Sequence, residues 1–467
     1  MTRSEADAHG SIEIDDNRYW GPHTERARRL FRIGTERFPP GLVRAVGLQK
    51  QAAAEANLAL GELARAIAVP VITAAREVAE GKLDAEFPLP VWQIGSGTAT
   101  NINANEVIAN RANEMLGHKL GERSPVHPND HVNRGQSSND SFPTVMHIAA
   151  AESVQALVIP GLRTLEVSLS RRAQEWDGVV KIGRTHLMDA VPVTLGQEFS
   201  AWERQISLGI ERLHGVMPRL LSVPQGGTAV GTGLNRHPDF DRVFCERLGA
   251  LTGLPFTPNP NKFEGMGAHD AFVELSGMFN TVAVSLTKLG NDIRLLCSGP
   301  RAGIAELIAP DDGLTSSIMP GKVNPTQCEA LTMVAAQVMG NHLAVSLGGA
   351  QSFLELNVFK PMIIHNVLQS SRLLADAAES FAVHMVDQLE PNHARIAEHL
   401  SKSLMLVTAL SPHIGYDRAV QIAKTALEQN TTLKDAAERL GIVSGADFDR
   451  WVRPEQMLRP GDSGEIG

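Results

Sequence analysis

The sequence predicts a mainly α-helical protein built around about five long helices, on three observations. First, Phe272, Leu275, Phe279, Val282, Leu286, Leu289, Ile293 and Leu296 follow one another at spacings of 3, 4, 3, 4, 3, 4 and 3. That sustained heptad, at 1.5 Å per residue, makes a helix of roughly 37 Å. Second, alternating strand patterns are few and there is no βαβ rhythm. Third, aromatic residues make up 5% of a chain that is 43% apolar, so its core is mainly aliphatic.

Taken in order, residues 1–137 read as an N-terminal mainly helical domain, 138–393 as a central bundle of long helices, and 394–467 as a small C-terminal helical domain. Within the bundle, Phe142 to Leu169 is rich in Ala, Val and Leu, broken only by Pro143 and Pro160. A helix from Thr194 to Leu213 opens on Thr194-Leu195-Gly196-Gln197, the spacing of a capping box. On the heptad helix, Ala283, Val284 and Leu295 add apolar positions outside the seam, which predicts burial on more than one side. Asn324-Pro325-Thr326-Gln327 starts a further helix toward Leu347, with Asn as N-cap, Pro at N1 and Gln at N3. A fifth runs from about Val358 to Val386, and Pro391, Gly415, Gly441 and Pro454 then punctuate shorter helices and turns.

The 43 Lys+Arg and 52 Asp+Glu of the 467 residues leave a net charge of 43 − 52 = −9. No long basic block occurs, so nucleic acid and membrane surfaces are poor partners. Cys245, Cys297 and Cys328 are far apart, which is neither a metal-ligand spacing nor a disulfide framework. Neither a cofactor nor a metal is expected. Met1 to Gly10 carries Glu5 and Asp7 and no apolar run, unlike a signal peptide. No stretch reaches ~18 uncharged apolar residues. The expectation is a soluble, cytoplasmic protein.

Chemistry concentrates in four polar, glycine-rich segments, most of them beside a helix start. They are Gly95-Ser96-Gly97-Thr98, His127-Pro128-Asn129-Asp130 through Ser137-Ser138-Asn139-Asp140, Gly183-Arg184-Thr185-His186, and Ser316-Ser317 through Lys322-Val323-Asn324. Free N–H groups at a helix start suit a carboxylate or phosphate. Each segment also has a plain reading. Ser137, Ser138 and Asn139 cap a helix, Asn324 is an N-cap, and His186 is a hydrogen-bonded structural residue. Lys322 is solvated, Glu329 complements a helix dipole, and Gly227 to Gly233 is a flexible loop. The glycine runs do not fit G-x-G-x-x-G, which removes the dinucleotide-binding reading.

Together the segments are far more specific. Gly95-Ser-Gly-Thr98 with Asn105-Glu-Val-Ile-Ala-Asn110, Gln136-Ser-Ser-Asn-Asp140, Lys181-Ile-Gly-Arg-Thr-His-Leu187, Gly226-Gly-Thr-Ala-Val-Gly-Thr-Gly-Leu-Asn235 and Ser316-Ser-Ile-Met-Pro-Gly-Lys-Val-Asn-Pro-Thr-Gln327 stand in this order. So do Leu406-Val-Thr-Ala-Leu410, Pro412-His-Ile-Gly-Tyr416 and Trp451-Val-Arg-Pro454. From about Tyr19 to Pro460 the chain resembles the class II, iron-independent fumarases of the fumarase/aspartase superfamily. Gly321 and the Pro325-Thr326-Gln327 ending resemble fumarase rather than aspartase.

The resemblance implies the three-domain fold of that superfamily. Its central five-helix bundles assemble into a twenty-helix homotetramer core, and each active site is shared by three subunits. It implies reversible anti addition of water to fumarate, giving (S)-malate, a tricarboxylic acid cycle reaction. Ser316 is then the proton-abstracting base, His186 serves the water side, and Glu329 hydrogen-bonds His186. Ser96, Gly97, Thr98, Ser137, Ser138, Asn139, Thr185, Ser317, Lys322, Val323 and Asn324 form the substrate-binding set. Lys322 and the N–H groups of the Ser316–Gly321 loop stabilise developing oxyanions. His127, Pro128, Asn129 and Asp130 form a second, weaker anion site.

The chain departs from the family pattern at Thr315, where Gly is usual, at Gly313-Leu314 in place of Glu-Pro, at Met188 in place of Gln, and over Gln351 to Glu355. Thr315 should stiffen the loop start, with Gly313 as the replacement hinge. These changes keep open a hydratase for a methylated fumarate such as mesaconate. An aspartase-like ammonia-lyase and a non-catalytic structural protein on the same scaffold are the remaining alternatives.

Overall fold

The computed structural model describes residues 1–314 and 316–460. Thr315 and the last seven residues of the expected C-terminal domain lie outside the described residues. The fold is mainly helical. The five long helices are Ser138 to Glu175, Leu195–Leu220, Asp270–Leu296, Thr326–Ala350 and Lys360–His384. All eight heptad residues are buried, and so is Ala283. Val284 and Leu295, the other positions outside the seam, are exposed in the single chain.

Local chemistry sets most helix starts. Thr194 and Gln197 form the expected reciprocal cap: Gln197 N–H donates to Thr194 Oγ1 at 2.9 Å and Thr194 N–H to Gln197 Oε1 at 3.0 Å. The reading of Asn324 as N-cap fails. The helix begins at Thr326, the Asn324 side chain accepts no capping bond, and Gln327 Oε1 instead accepts from Ser380 Oγ at 2.9 Å. The long helix from Ser138 widens into a π turn at Val154–Val158, just before Pro160. A proline ring there would otherwise strike the carbonyl one turn back, and a widened turn moves that carbonyl aside.

Contacts divide the chain into two compact units. One comprises Met1–Pro160, Gly209–Ala283 and Val334–Ala375; the other comprises Gly161–Leu208, Val284–Met333 and the chain from Asp376 onward. In the first unit, helices Pro40–Ala59, Arg65–Ala79 and Thr98–Met115 pack around Val71, Val78, Val107 and Ile108. Gly47 lets two of them touch, since a Cβ there would lie 2.3 Å from Ala79 N. An unforeseen hairpin, Thr2–Asp7 with Gly10–Asp15, belongs to this unit.

In the second unit, Trp176, Phe199 and Trp202 stack edge to face at 4.8 Å centroid spacings. The C-terminal helices there enclose a separate apolar core that includes Leu410, Ile422, Leu433 and Ala436. Two helices, Ser138–Glu175 and Thr326–Ala350, are long and apolar enough by length and composition to cross a membrane. The first buries 67% of its apolar window inside the fold and the second only 28%. Neither is an uninterrupted apolar run, since Thr326–Ala350 includes Glu329, Gln337, Asn341 and His342, and the core helix of a folded domain passes the same test.

Candidate active site

The Gly95–Thr98 turn is fixed by close approaches. Gly97 has φ +80°, and a Cβ on it would lie 2.1 Å from the Phe142 ring; one on Gly95 would meet Val358 O at 1.6 Å. Only glycine fits either place. The turn delivers Ser96 and Thr98 with their hydroxyls 2.7 Å apart, at the start of helix Thr98–Met115, where the Thr100 N–H donates to Gln93 Oε1 at 3.1 Å. That leaves the Thr98 and Ala99 N–H groups at the helix start for an anion.

Ser137, Ser138 and Asn139 open the next helix in the same unit. Ser137 is the cap: its hydroxyl accepts Asn139 N–H at 3.2 Å, and its own N–H donates to Asp140 Oδ1 at 2.9 Å. Ser138 Oγ accepts from Asn101 Nδ2 at 3.1 Å, and Asn139 Nδ2 donates to Ala229 O at 2.9 Å. The residue that organises this corner is Asp140, fully buried and not singled out by the sequence. Its second oxygen accepts the Gly226 and Thr228 N–H groups, both at 2.9 Å, and Gln225 Nε2 at 3.2 Å. The glycine-rich run is thus a tied loop, not a flexible one. Burial raises the Asp140 carboxyl to about 6, against the pull of those N–H groups and of Lys50.

Thr185 and His186 lie on a hairpin of the second unit, Val180–Thr185 with Met188–Thr194. Thr185 pairs with Met188, so His186 and Leu187 form a two-residue turn with φ of +58° and +61°. Both values are those of a type I′ turn, which ordinarily takes Asn-Gly. A leucine there is strained, and such strain marks a held functional geometry. His186, Leu187 and Met188 are exposed, and the imidazole makes no hydrogen bond among the described residues.

The strand behind the turn is clamped. Buried Glu306 accepts from Arg184 at 3.0 and 2.7 Å and His399 Nδ1 at 2.9 Å, and lies 3.1 Å from Lys181 Nζ. Burial opposes the Glu306 charge, but the Arg184, Lys181 and His399 contacts outweigh it and draw the carboxyl down to about 2.

The Ser316–Asn324 loop, also in the second unit, folds back on itself. Ser316 N–H donates to Lys322 O at 3.2 Å. The Ser316 hydroxyl oxygen accepts Met319 N–H at 3.1 Å and Ile318 N–H at 3.4 Å. Ser317, Lys322 and Val323 are exposed and Asn324 half-buried. Among the described residues the Lys322 ammonium bonds neither Ser316 nor a carboxylate, and it is the Lys322 carbonyl that meets Ser316. Glu329 stands exposed in the first turn of helix Thr326–Ala350 and its carboxylate has no partner among the described residues. The expected His186–Glu329 hydrogen bond is therefore not made within one chain.

At the second anion site, Pro128–Val132 is a single π turn whose first N–H groups, those of Asn129 and Asp130, already donate to His127 Nδ1 at 3.3 and 3.2 Å. An anion there would have to displace that ring. The three cysteines are free, and burial pushes each thiol up to about 12, so none is a ready thiolate. Among the described residues, no three His, Cys, Asp or Glu side chains converge as metal ligands.

Residues 10–340 match the family model described as Lyase, and residues 406–459 the one described as Fumarase C C-terminus. The chain is 57% identical to the class II fumarate hydratase of Methylorubrum extorquens, covering 98% of this chain and 97% of the relative. It is 55% identical to the human mitochondrial fumarate hydratase, covering 98% and 90%. A crystal structure of the class II fumarase of Schistosoma mansoni superposes with a TM-score of 0.96 at 42% identity, covering 98% of this chain and all of that one. Sequence and fold thus agree from end to end: the chain belongs to the class II fumarate hydratases and is a hydro-lyase acting on fumarate.

Proposed function

We propose that Ser316 removes the proton beside a substrate carboxylate and that His186, steadied by Glu329 from a second copy of the chain, serves the water and hydroxide side. Thr98, Ser138, Asn139, Thr185, Lys322 and Asn324 bind the two carboxylates, with Ser96, Gly97, Ser137, Ser317 and Val323 shaping their surroundings. The observation that carries this reading is the Ser316 turn. A serine is a poor base unless its alkoxide is stabilised, and here Met319 N–H at 3.1 Å and Ile318 N–H at 3.4 Å already point at Oγ.

The same proposal makes the enzyme a homotetramer with active sites shared by three subunits. His186 and Glu329 are exposed and have no side-chain partner among the described residues, and helix Thr326–Ala350 leaves Met333, Leu343 and Leu347 bare. Other copies of the chain would cover them. We keep 1–137, 138–393 and 394–467 as domains, supported by separate apolar cores near each end. The reaction needs no metal in this reading, which the scattered, unionised cysteines support. The cytoplasm is the proposed compartment, in keeping with the acidic chain.

Subunit complementation tests the shared site. Ser316→Ala and His186→Asn chains, each nearly inactive, are unfolded together and reassembled, then assayed by fumarate absorbance. With the two residues supplied by different subunits, about a quarter of the sites regain both in random hybrids. If they belonged to one chain, every hybrid site would carry a defect and no activity would return. Running the unmodified enzyme with fumarate, mesaconate and aspartate fixes the substrate; faster turnover of mesaconate than fumarate would replace fumarate as the assigned one.

A further inference from the structure

Lys50 is 1% exposed, in the middle of helix Pro40–Ala59, and the reaction described above makes no use of it. Its ammonium donates to Asn133 Oδ1 at 3.1 Å and Gln136 Oε1 at 3.0 Å. Asn133 Oδ1 also accepts from Asn101 Nδ2 and Asn105 Nδ2, both at 3.2 Å. Asn101 Nδ2 in turn donates to Ser138 Oγ at 3.1 Å. All of these residues belong to the first compact unit.

Two groups set the polarity of this chain, the Lys50 ammonium and the Gln136 carbonyl, which accepts from Asn133 Nδ2 at 3.0 Å. An amide can present either its oxygen or its NH₂ to a neighbour, but an ammonium only donates. Lys50 on one side and the Gln136 carbonyl on the other therefore oblige Asn133 to turn its oxygen toward the ammonium, and that oxygen obliges Asn101 and Asn105 to offer their NH₂ groups. The direction has a cost, because Asn101 Oδ1 and Asn105 Oδ1 are left buried without a hydrogen bond. With Asn101 donating to it, the Ser138 oxygen is an acceptor on the inside. Its own proton is then free to point outward.

We propose that Lys50 is a positioning residue that, through Asn133 and Asn101, fixes the Ser138 hydroxyl as a donor toward a substrate carboxylate. This rests on the reading of Ser138 as a carboxylate ligand. A methionine at 50 would fill the space but remove the donor that Asn133 Oδ1 faces, leaving the Gln136 carbonyl alone to oppose a flip of Asn133 and Asn101 that lets the Ser138 proton turn inward to an amide oxygen. A hydrogen bond to a charged group would then be lost.

Burial lowers the Lys50 ammonium to about 7, partly offset by Asp140, the one charged group whose field raises it. From the other elements around it, Asn101, Asn105, Asn133 and Gln136 are neutral. The lock is strongest well below pH ~7; above it the neutral amine keeps two N–H groups but gains a lone pair that can also accept, so the direction is held less firmly.

The test is a double-mutant cycle on Lys50→Met and Asn101→Ala, with the KM for fumarate and the Ki of succinate as readouts. Lys50→Met should raise both constants about 10-fold or more and change kcat far less. The double variant should be no worse than the poorer single variant, since both act on one relay. Additive losses would overturn the proposal. So would an unchanged KM in Lys50→Met. If Lys50→Met does not fold, the unmodified enzyme still decides. Its succinate Ki should rise from pH 6.5 to 8 more steeply than that of Asn101→Ala, and equal slopes would overturn the proposal. Ser138→Ala separates the two levels: if it leaves KM unchanged, Ser138 is no ligand at all. If it raises KM while Lys50→Met does not, only the relay fails.

Discussion

Ser316 is held by two of its own loop's N–H groups, and the transition state asks most of that arrangement. A positioned general base is worth about 10²–10⁴ in rate. Ser316→Ala should therefore lower kcat by about that factor with KM changed little, as steady-state fumarate hydration will show; near-normal kcat would remove Ser316 from the role. Glu306 acts at a distance, by clamping the strand that ends in His186. Its carboxyl sits at about 2 instead of 4.5, so its share of stability is present above pH 4.5 and is lost as pH falls from there toward 2. The linkage is worth about 3 kcal/mol. Glu306→Gln should lose roughly that much at pH 7 and show a flatter stability profile between pH 4.5 and 2 in denaturant titrations. A parallel profile would mean that Glu306 is not the titrating group.

The hairpin carrying Thr185 and His186 shows why an element can escape a sequence reading. Type I′ turns announce themselves by Asn-Gly or Asp-Gly, but here the turn is His186-Leu187, with both residues at positive φ. Each non-glycine residue in that region costs about 1 kcal/mol, so the geometry is kept against local preference. Leu187→Gly should leave the melting temperature unchanged or slightly higher and lower kcat, because the His186 ring is then less firmly aimed. A variant that lost stability instead would show that Leu187 serves packing.

The loop before Ser316 offers the converse case. Gly313 has φ +76° and open space around it, so it holds the left-handed position that Thr315 would resist. Gly313→Ala meets no clash but a strained backbone, and should lower kcat several-fold at nearly constant KM through slower loop closure. Unaltered stopped-flow progress curves would place the hinge elsewhere.

At the scale of the whole molecule, the exposed apolar helix is the informative feature. Thr326–Ala350 carries Glu329 at its start and bare Met333, Leu343 and Leu347 along its length, at 67, 62 and 56% exposure. Three large side chains in that state on one helix exceed what a monomer ordinarily leaves in water. Leu343→Glu with Leu347→Glu should shift sedimentation toward dimers or monomers and abolish activity together with assembly. A fully active monomer would contradict the shared site.

The sequence by itself determined the helical class, the five long helices with ends up to seven residues off, and the segments that carry the chemistry. Each of these is a local matter: heptad spacing, capping pairs such as Thr194 with Gln197, and glycines that admit no side chain. Only the tertiary structure decided that Asp140 ties the Gly226–Thr228 loop to the Ser137 helix, and that Lys50 meets the Asn133 amide behind Ser138. It also decided that Glu306 holds the His186 strand from more than a hundred residues away. Those roles depend on which buried donor meets which acceptor, and hydrogen bonds between residues distant in the chain leave no periodic trace in it.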